Sequence, residues 1–123
     1  MPKTVLLRHD LSDGSFHFDW LLEPVPGALR LIAFRLGDRV DLARTTEFDG
    51  HRLCDHRPLY LDFEGELTDN RGQVTRLAFG EVEILANRED RLDLSGSLGS
   101  ARGGFTGVRA DGALWRFRFF PQP

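Results

Sequence analysis

Alternation of apolar and polar residues dominates this sequence and predicts short β-strands over most of its length. In residues 16–23 every second side chain is apolar, and these would form one face of a strand: Phe16, Phe18, Trp20 and Leu22. Further strands are predicted at 4–8, 29–36, 59–67, 73–86, 91–97, 103–109 and 113–120, with a bulge at Gly80 and a hairpin turn at 110–112. Residues 37–57 are irregular in pattern, and at most one helical turn is expected, within 37–50.

About eight short strands with frequent turns predict an all-β fold. The pattern alone allows a small antiparallel β-barrel, closed or nearly closed, or a sandwich. A length of 123 residues is typical of one domain, so residues 1–123 are expected to fold as a single unit.

Composition and charge limit the setting in which the chain acts. The net charge of −3 argues against indiscriminate nucleic-acid binding but leaves room for a local basic groove. Cys54 is the single cysteine, which excludes an internal disulfide and favours a reducing compartment. The N-terminus has a charged His-Asp pair where an export signal needs an apolar stretch, and no apolar run is long enough for a membrane span. A cytoplasmic location without membrane association is therefore expected.

Two histidines and an aspartate near the N-terminus are the strongest chemical feature of the sequence. His17 and Asp19 are two apart on a predicted strand, so they share a face with about 7 Å between their backbones. His9 ends the preceding strand, and a hairpin would bring it beside them. Two imidazoles and a carboxylate can hold a divalent cation and leave positions open for water or substrate. The alternative is a surface-turn His9 and a hydrogen-bonded strand His17.

A second polar segment lies in the middle of the chain. His56 opens the strand predicted at 59–67, and Tyr60 is the only tyrosine. All but one of the 16 basic residues are arginine, whose forked guanidinium suits phosphate. The arginines nearest the two segments are candidate phosphate ligands, although ordinary surface positions explain them equally well: Arg8, Arg35, Arg52 and Arg57. The fourth histidine, His51, lies in the irregular stretch and is expected to be exposed to solvent.

Read together, the two segments resemble the 3′-phosphoesterase module of bacterial DNA ligase D. The stretch R-H-D-(x6)-H-F-D-W-L-L-E is similar to the H-D-(x4–5)-H-(aromatic)-D-F-R-L-E signature of that family. The stretch D-H-R-P-L-Y-L-D-F-E-G is similar to its D-H-P-L-x-Y-x-D-F-E-G signature. The resemblance extends over about residues 5 to 120, as a match of strand pattern outside the two motifs.

The resemblance implies a small β-barrel that removes 3′-phosphates and 3′-ribonucleosides from DNA ends during break repair, with manganese as cofactor. It implies that His9, His17 and Asp19 are the metal ligands. It also implies that His56 and Tyr60 are catalytic, with His56 in contact with the scissile phosphate or leaving oxygen and Tyr60 beside it. It further implies a stand-alone member of the family that acts on nucleic-acid ends alone or with DNA-repair proteins.

Three departures from the family pattern leave the activity open. Leu21, Leu36 and Cys54 occupy positions at which the family has an arginine, a lysine and an acidic residue. Loss of charged donors from a phosphoryl-transfer site commonly costs several kcal/mol of transition-state stabilisation. The alternatives are therefore a catalytically degenerate barrel that binds DNA ends or a protein, and a metal-dependent phosphoesterase with a small-molecule substrate.

Overall fold

The computed structural model of the chain describes residues 1–37 and 46–122, which form an antiparallel β-structure. The strands are β1 (Lys3–Asp10), β2 (Phe16–Leu22), β3 (Ile32–Leu36), β4 (Glu47–Arg52), β5 (Gly65–Glu66), β6 (Gln73–Asn87), β7 (Arg91–Leu98), β8 (Ala101–Asp111) and β9 (Leu114–Pro121). Eight of them make a ring in the order β1-β2-β3-β4-β9-β8-β7-β6, which closes through pairing of β1 with β6. The ring is barrel-like, so the prediction of a small antiparallel barrel is confirmed and a sandwich is excluded.

The inside of the ring is filled with aromatic and aliphatic side chains. Trp20 lies at its centre, fully buried, with its ring centroid 5.3 Å from that of Phe117 and 5.4 Å from that of Phe105. The indole Nε1 donates a 2.8 Å hydrogen bond to Oγ1 of Thr4, which in turn donates to the carbonyl of Leu21. Burial of large rings around a satisfied indole is the main stabilising contribution to such a small barrel.

A second, smaller apolar cluster lies on the outside of the ring. It forms where β1, β2 and β3 are covered by the segment 53–67, and its buried members are Val5, Leu7, Leu21, Leu31, Ala33, Leu61 and Val74. Strands β1–β3 are therefore apolar on both faces over part of their length, which matches their near-continuous hydrophobic runs.

The segment predicted as a strand at 59–67 is mostly a different structure. Pro58–Leu61 is a 3₁₀ turn, because the fixed φ of Pro58 suits the first turn of a helix, and only Gly65–Glu66 is a strand. At most one short helical turn is expected from the sequence, and the described residues contain one, at Pro58–Leu61. It lies outside the range 37–50 in which the sequence predicts it; of that range, residues 47–50 belong to β4 and residues 38–45 lie outside the described residues. The irregular segment predicted at 37–57 likewise contains β4.

The bulge predicted at Gly80 is also displaced. Gly80 pairs regularly with Thr4. The register of β6 shifts between Ala78 and Arg76 in its pairing with β1, and between Ile84 and Ala86 in its pairing with β7. A side chain at Gly80 would overlap the carbonyl of Ser97, so this glycine permits close approach of two strands. The hairpin predicted at 110–112 is confirmed between β8 and β9. Within the described residues, no helix is long and apolar enough to cross a membrane.

Candidate metal centre

The β1–β2 hairpin brings the three predicted ligands to one place on the outside of the ring. His9 and His17 are direct cross-strand partners, and the loop between them closes with a hydrogen bond from the amide of Leu11 to the carbonyl of Ser15. Asp19 lies two residues beyond His17 and points to the same face because side chains alternate along a strand. The hairpin expected from the sequence is thus present, with His9 beside His17.

The donor atoms of these residues are close enough to share one cation. Nδ1 of His9 lies 3.2 Å from Nε2 of His17, which lies 3.3 Å from Oδ2 of Asp19. One ligand atom from each of the three residues lies within 4.8 Å of the other two. Ligand atoms about 2.1 Å from a common ion are about 3.0–3.4 Å from their nearest neighbours, so two of the three separations already fit such a site.

A backbone carbonyl fixes which nitrogen of His9 faces this centre. Nε2 of His9 lies 2.7 Å from the carbonyl oxygen of Arg71, so Nε2 carries the proton and donates it there. In that tautomer Nδ1 is the acceptor that points toward His17. Metal-binding histidines usually donate their other ring nitrogen to a carbonyl or carboxylate, and His9 is held in this way.

Asp19 provides a further sign that a ligand belongs here. The residue is 7% exposed, yet within residues 1–37 and 46–122 its Oδ1 has no hydrogen-bond partner. Nε of Arg35 lies 3.8 Å from this oxygen, beyond hydrogen-bond distance. A buried carboxylate oxygen without a partner is unfavourable by about 1–3 kcal/mol, and a bound cation would satisfy it. The residues present therefore fit a divalent metal ion.

The surroundings of His17 also favour metal binding, because they lower the pKa of its imidazole. Burial lowers the pKa of its imidazole, and the nearby charges of Arg35 and His9 lower it further, whereas Asp19 acts in the opposite sense. A lower pKa keeps the ring neutral at physiological pH, which is the form that binds metal ions.

Two further residues lie beside the centre on the neighbouring strands, although the sequence alone does not assign them to it. Arg35 on β3 is the direct partner of Asp19, and His51 on β4 is the direct partner of Arg35. From the sequence Arg35 is only one of four phosphate candidates, and His51 is expected to be exposed, which it is. The pairing of β3 with β4 places Arg35 and His51 in one line with Asp19 on the outer face of the sheet. The sequence does not reveal this pairing.

His56 and Tyr60, predicted to be catalytic, lie together but apart from the three ligands. His56 pairs with Leu31 through backbone hydrogen bonds, and its Nδ1 lies 2.9 Å from the carbonyl of Cys54. The rings of His56 and Tyr60 meet edge to face with centroids 5.8 Å apart. Leu31 is four residues from Arg35, about 13 Å along the strand direction. Their catalytic role stays a prediction.

The other arginines predicted to bind phosphate do not contact the three candidate ligands. Arg8 follows the inward-facing Leu6 by two positions, and its guanidinium lies 3.9 Å from the ring centroid of Phe16 and 3.1 Å from Asp10. It is therefore on the face opposite His9. Arg52 forms an ion pair with Asp55 at 3.1 Å, and Arg57 is exposed near the ring of Tyr60.

The three departures from the family pattern also have clear positions. Leu21 is fully buried in the outer apolar cluster, Leu36 points into the filled ring, and Cys54 is exposed. A lysine at position 36 would point away from the ligands, whereas Arg35 points toward them. The cation beside the centre is thus one residue away from the position that the resemblance implies.

No protein-family model matches the chain, and no curated protein matches it at a significant level.

Proposed function

We propose that this chain is a divalent-metal-dependent phosphoesterase that acts on nucleic-acid 3′ ends and removes a 3′-phosphate or 3′-ribonucleoside during DNA repair. The observation that carries the proposal is the convergence of His9, His17 and Asp19 beside the guanidinium of Arg35. The two sequence motifs that resemble the ligase D phosphoesterase module support the reaction class. Manganese as the ion and a cytoplasmic location are parts of the same proposal.

In this proposal His9 would bind the ion through Nδ1, His17 through Nε2 and Asp19 through its carboxylate. When bound, such an ion supplies Lewis-acid polarisation of a phosphoryl oxygen and activates water. Arg35 would hold the phosphate, because a guanidinium binds two phosphate oxygens at once. His56 and Tyr60, which lie about 13 Å from Arg35 along the strand direction, would contact a more distant part of the substrate.

The position of the centre favours a large substrate. The inside of the ring is filled, and the ligands lie on its outer surface, so the end of a nucleic-acid strand reaches them without entering a cavity. Terminal phosphates are the part of a strand that a centre on the outer surface can bind without distortion of a duplex.

The test is manganese binding by calorimetry together with phosphate release from an oligonucleotide that carries a 3′-phosphate. We expect binding of Mn²⁺ by the natural chain, and loss of both binding and release in His17→Ala. Arg35→Ala is expected to retain the ion while kcat/KM falls about 100-fold. Arg102→Ala, an exposed arginine on β8, is the matched control and should behave as the natural chain. Absence of Mn²⁺ binding, or undiminished release by His17→Ala, would contradict the proposal.

A second candidate is a non-catalytic module that binds DNA ends or a repair protein. The apolar Leu21 and Leu36 at family charged positions favour it, because fewer cations then surround the phosphate. Such a module would shift a 3′-phosphorylated oligonucleotide in a gel without metal and without release, and the shift would survive His9→Ala.

A further inference from the structure

One row of side chains crosses three strands on the outside of the ring. Asp19 on β2, Arg35 on β3 and His51 on β4 are successive direct cross-strand partners. Neighbouring strands are about 4.8 Å apart, so His51 lies about 10 Å from Asp19 with Arg35 between them. A metal ligand, a guanidinium and an imidazole thus share one face in one line.

Arg35 is a cation whose side chain forms no hydrogen bond with the described residues. Its side chain is 50% exposed, and within residues 1–37 and 46–122 its ion-pair partner is Asp19, at 3.8 Å. A guanidinium has five N–H donors in a planar fork. With respect to the part of the chain that the structure describes, these donors are available to an external anion on the side of β4.

His51 borders the same space from the other strand. It is exposed, its partner on the far side is Leu114 of β9, and the next residue on its own face, Asp49, lies 3.9 Å from Nε of Arg116. Arg35 and Leu114 are thus the two direct cross-strand neighbours of His51. A neutral imidazole always has one N–H donor, so His51 can donate to an anion at any pH near neutrality.

We propose that His51 is a phosphate-binding residue that, with Arg35, makes the site selective for an end that carries a terminal phosphate. The inference rests on the proposed function and adds a residue to it. A 3′-phosphate has three oxygens available to donors and carries a charge of about −1.5 to −2, whereas a 3′-hydroxyl end has neither. Arg35 satisfies two oxygens by its fork, and His51 reaches a remaining one from β4.

The experiment compares binding of two oligonucleotides that differ only in their 3′ end, phosphate or hydroxyl. Fluorescence anisotropy with labelled strands gives the ratio of the two Kd values at fixed salt, and proton–nitrogen spectra of the imidazoles report whether His51 contacts the end. We expect the 3′-phosphate strand to bind more tightly than the 3′-hydroxyl strand and to shift the His51 resonances. In His51→Ala the ratio of the two Kd values should fall about tenfold. His51→Gln, which keeps a donor, should restore part of the preference. Arg102→Ala, which removes a cation from β8, is again the control and should keep the preference of the natural chain.

The outcomes separate this inference from the catalytic proposal. If His51→Ala keeps the full preference, or the His51 resonances stay unchanged on binding, the inference is wrong even when metal-dependent release is observed. If release is absent but the preference depends on His51, the residue role stands and the chain is a binding module. If neither strand binds, both proposals are wrong.

Discussion

The imidazole rings of His9 and His17 meet edge to face across the β1–β2 pair, with Nδ1 of His9 3.2 Å from Nε2 of His17. Two ring nitrogens at this distance need a proton or a cation between them, because two lone pairs repel each other. The same Nε2 lies 3.3 Å from Oδ2 of Asp19, and one N–H cannot align with both acceptors. A metal ion in place of that proton resolves the conflict.

Metal binding should therefore stabilise the fold measurably. At a Mn²⁺ concentration 100 times the Kd, we expect an increase of about 2.7 kcal/mol in the free energy of unfolding, visible as a higher Tm. His17→Gln should lose the increase. His56→Gln is the matched control and should keep it, because His56 bonds to the carbonyl of Cys54. Equal responses of the two variants would place the ion elsewhere.

Asp19→Asn should leave the metal-free protein as stable as the natural chain or about 1 kcal/mol more stable. The change removes a buried charge whose Oδ1 has no hydrogen-bond partner among the described residues, and it gives up a 3.8 Å ion pair to a half-exposed arginine. The 3.3 Å contact of Oδ2 with Nε2 of His17 can be kept by the amide oxygen of an asparagine. Urea unfolding in the presence of a chelator measures the effect.

Asp93→Asn is the comparison for this prediction, because its Oδ1 is also without a partner while its Oδ2 accepts a 2.8 Å hydrogen bond from Arg91. We expect Asp93→Asn to be neutral or slightly destabilising. A loss well above about 1 kcal/mol in Asp19→Asn would show that the carboxylate stabilises the fold without a metal.

The stability of the metal-free protein should decrease as the pH falls below about 6.5. Burial lowers the pKa of His17 in the folded state, so the unfolded chain binds a proton first. Where the unfolded state holds more protons, stability rises with pH. The contribution of His17 is thus fully present above its unfolded pKa and is lost as the pH falls through the folded pKa. Urea unfolding from about pH 7.5 to about pH 5 should give a steeper decline for the natural chain than for His17→Gln, and parallel curves would contradict the assignment.

Gly72→Ala should weaken metal binding by about 10- to 100-fold and destabilise the fold by more than about 2 kcal/mol. Gly72 has a φ of 96°, and a Cβ there would overlap the carbonyl oxygen of Asp10. Its movement would displace the adjacent Arg71 carbonyl that orients His9.

Gly14→Ala is the control for this change. Gly14 has a φ of 89°, but no atom lies within 4 Å of the position that a Cβ would occupy, so only backbone strain of about 1 kcal/mol is expected. Calorimetry with Mn²⁺ should find its affinity close to that of the natural chain. An equal loss of affinity in both variants would mean that general destabilisation, and not the Arg71 carbonyl, is responsible.

The part of the site within one hairpin could be predicted from the sequence. His9, His17 and Asp19 are separated by a short turn, and the alternation of apolar residues in β2 fixes which side chains share a face. The same alternation predicted the barrel, because most strands face the filled interior with every second residue.

The part that depends on pairing between distant strands could not be predicted. Arg35 and His51 meet because β3 pairs with β4, and no local pattern encodes that register. The segment 58–66 has strand-like alternation, but Pro58 starts a turn whose buried Leu61 contributes to the outer cluster. The apolar residues at every second position of this segment pack onto the outer face of the sheet, and they do not form a strand.

The filled ring separates folding from chemistry in this protein. Its inward-facing side chains carry the stability, while the candidate centre and its arginine are arranged on the outer surface of β1–β4. Substitutions at the polar positions of the centre leave both apolar clusters unchanged, so related chains could gain or lose metal binding while they keep the same scaffold.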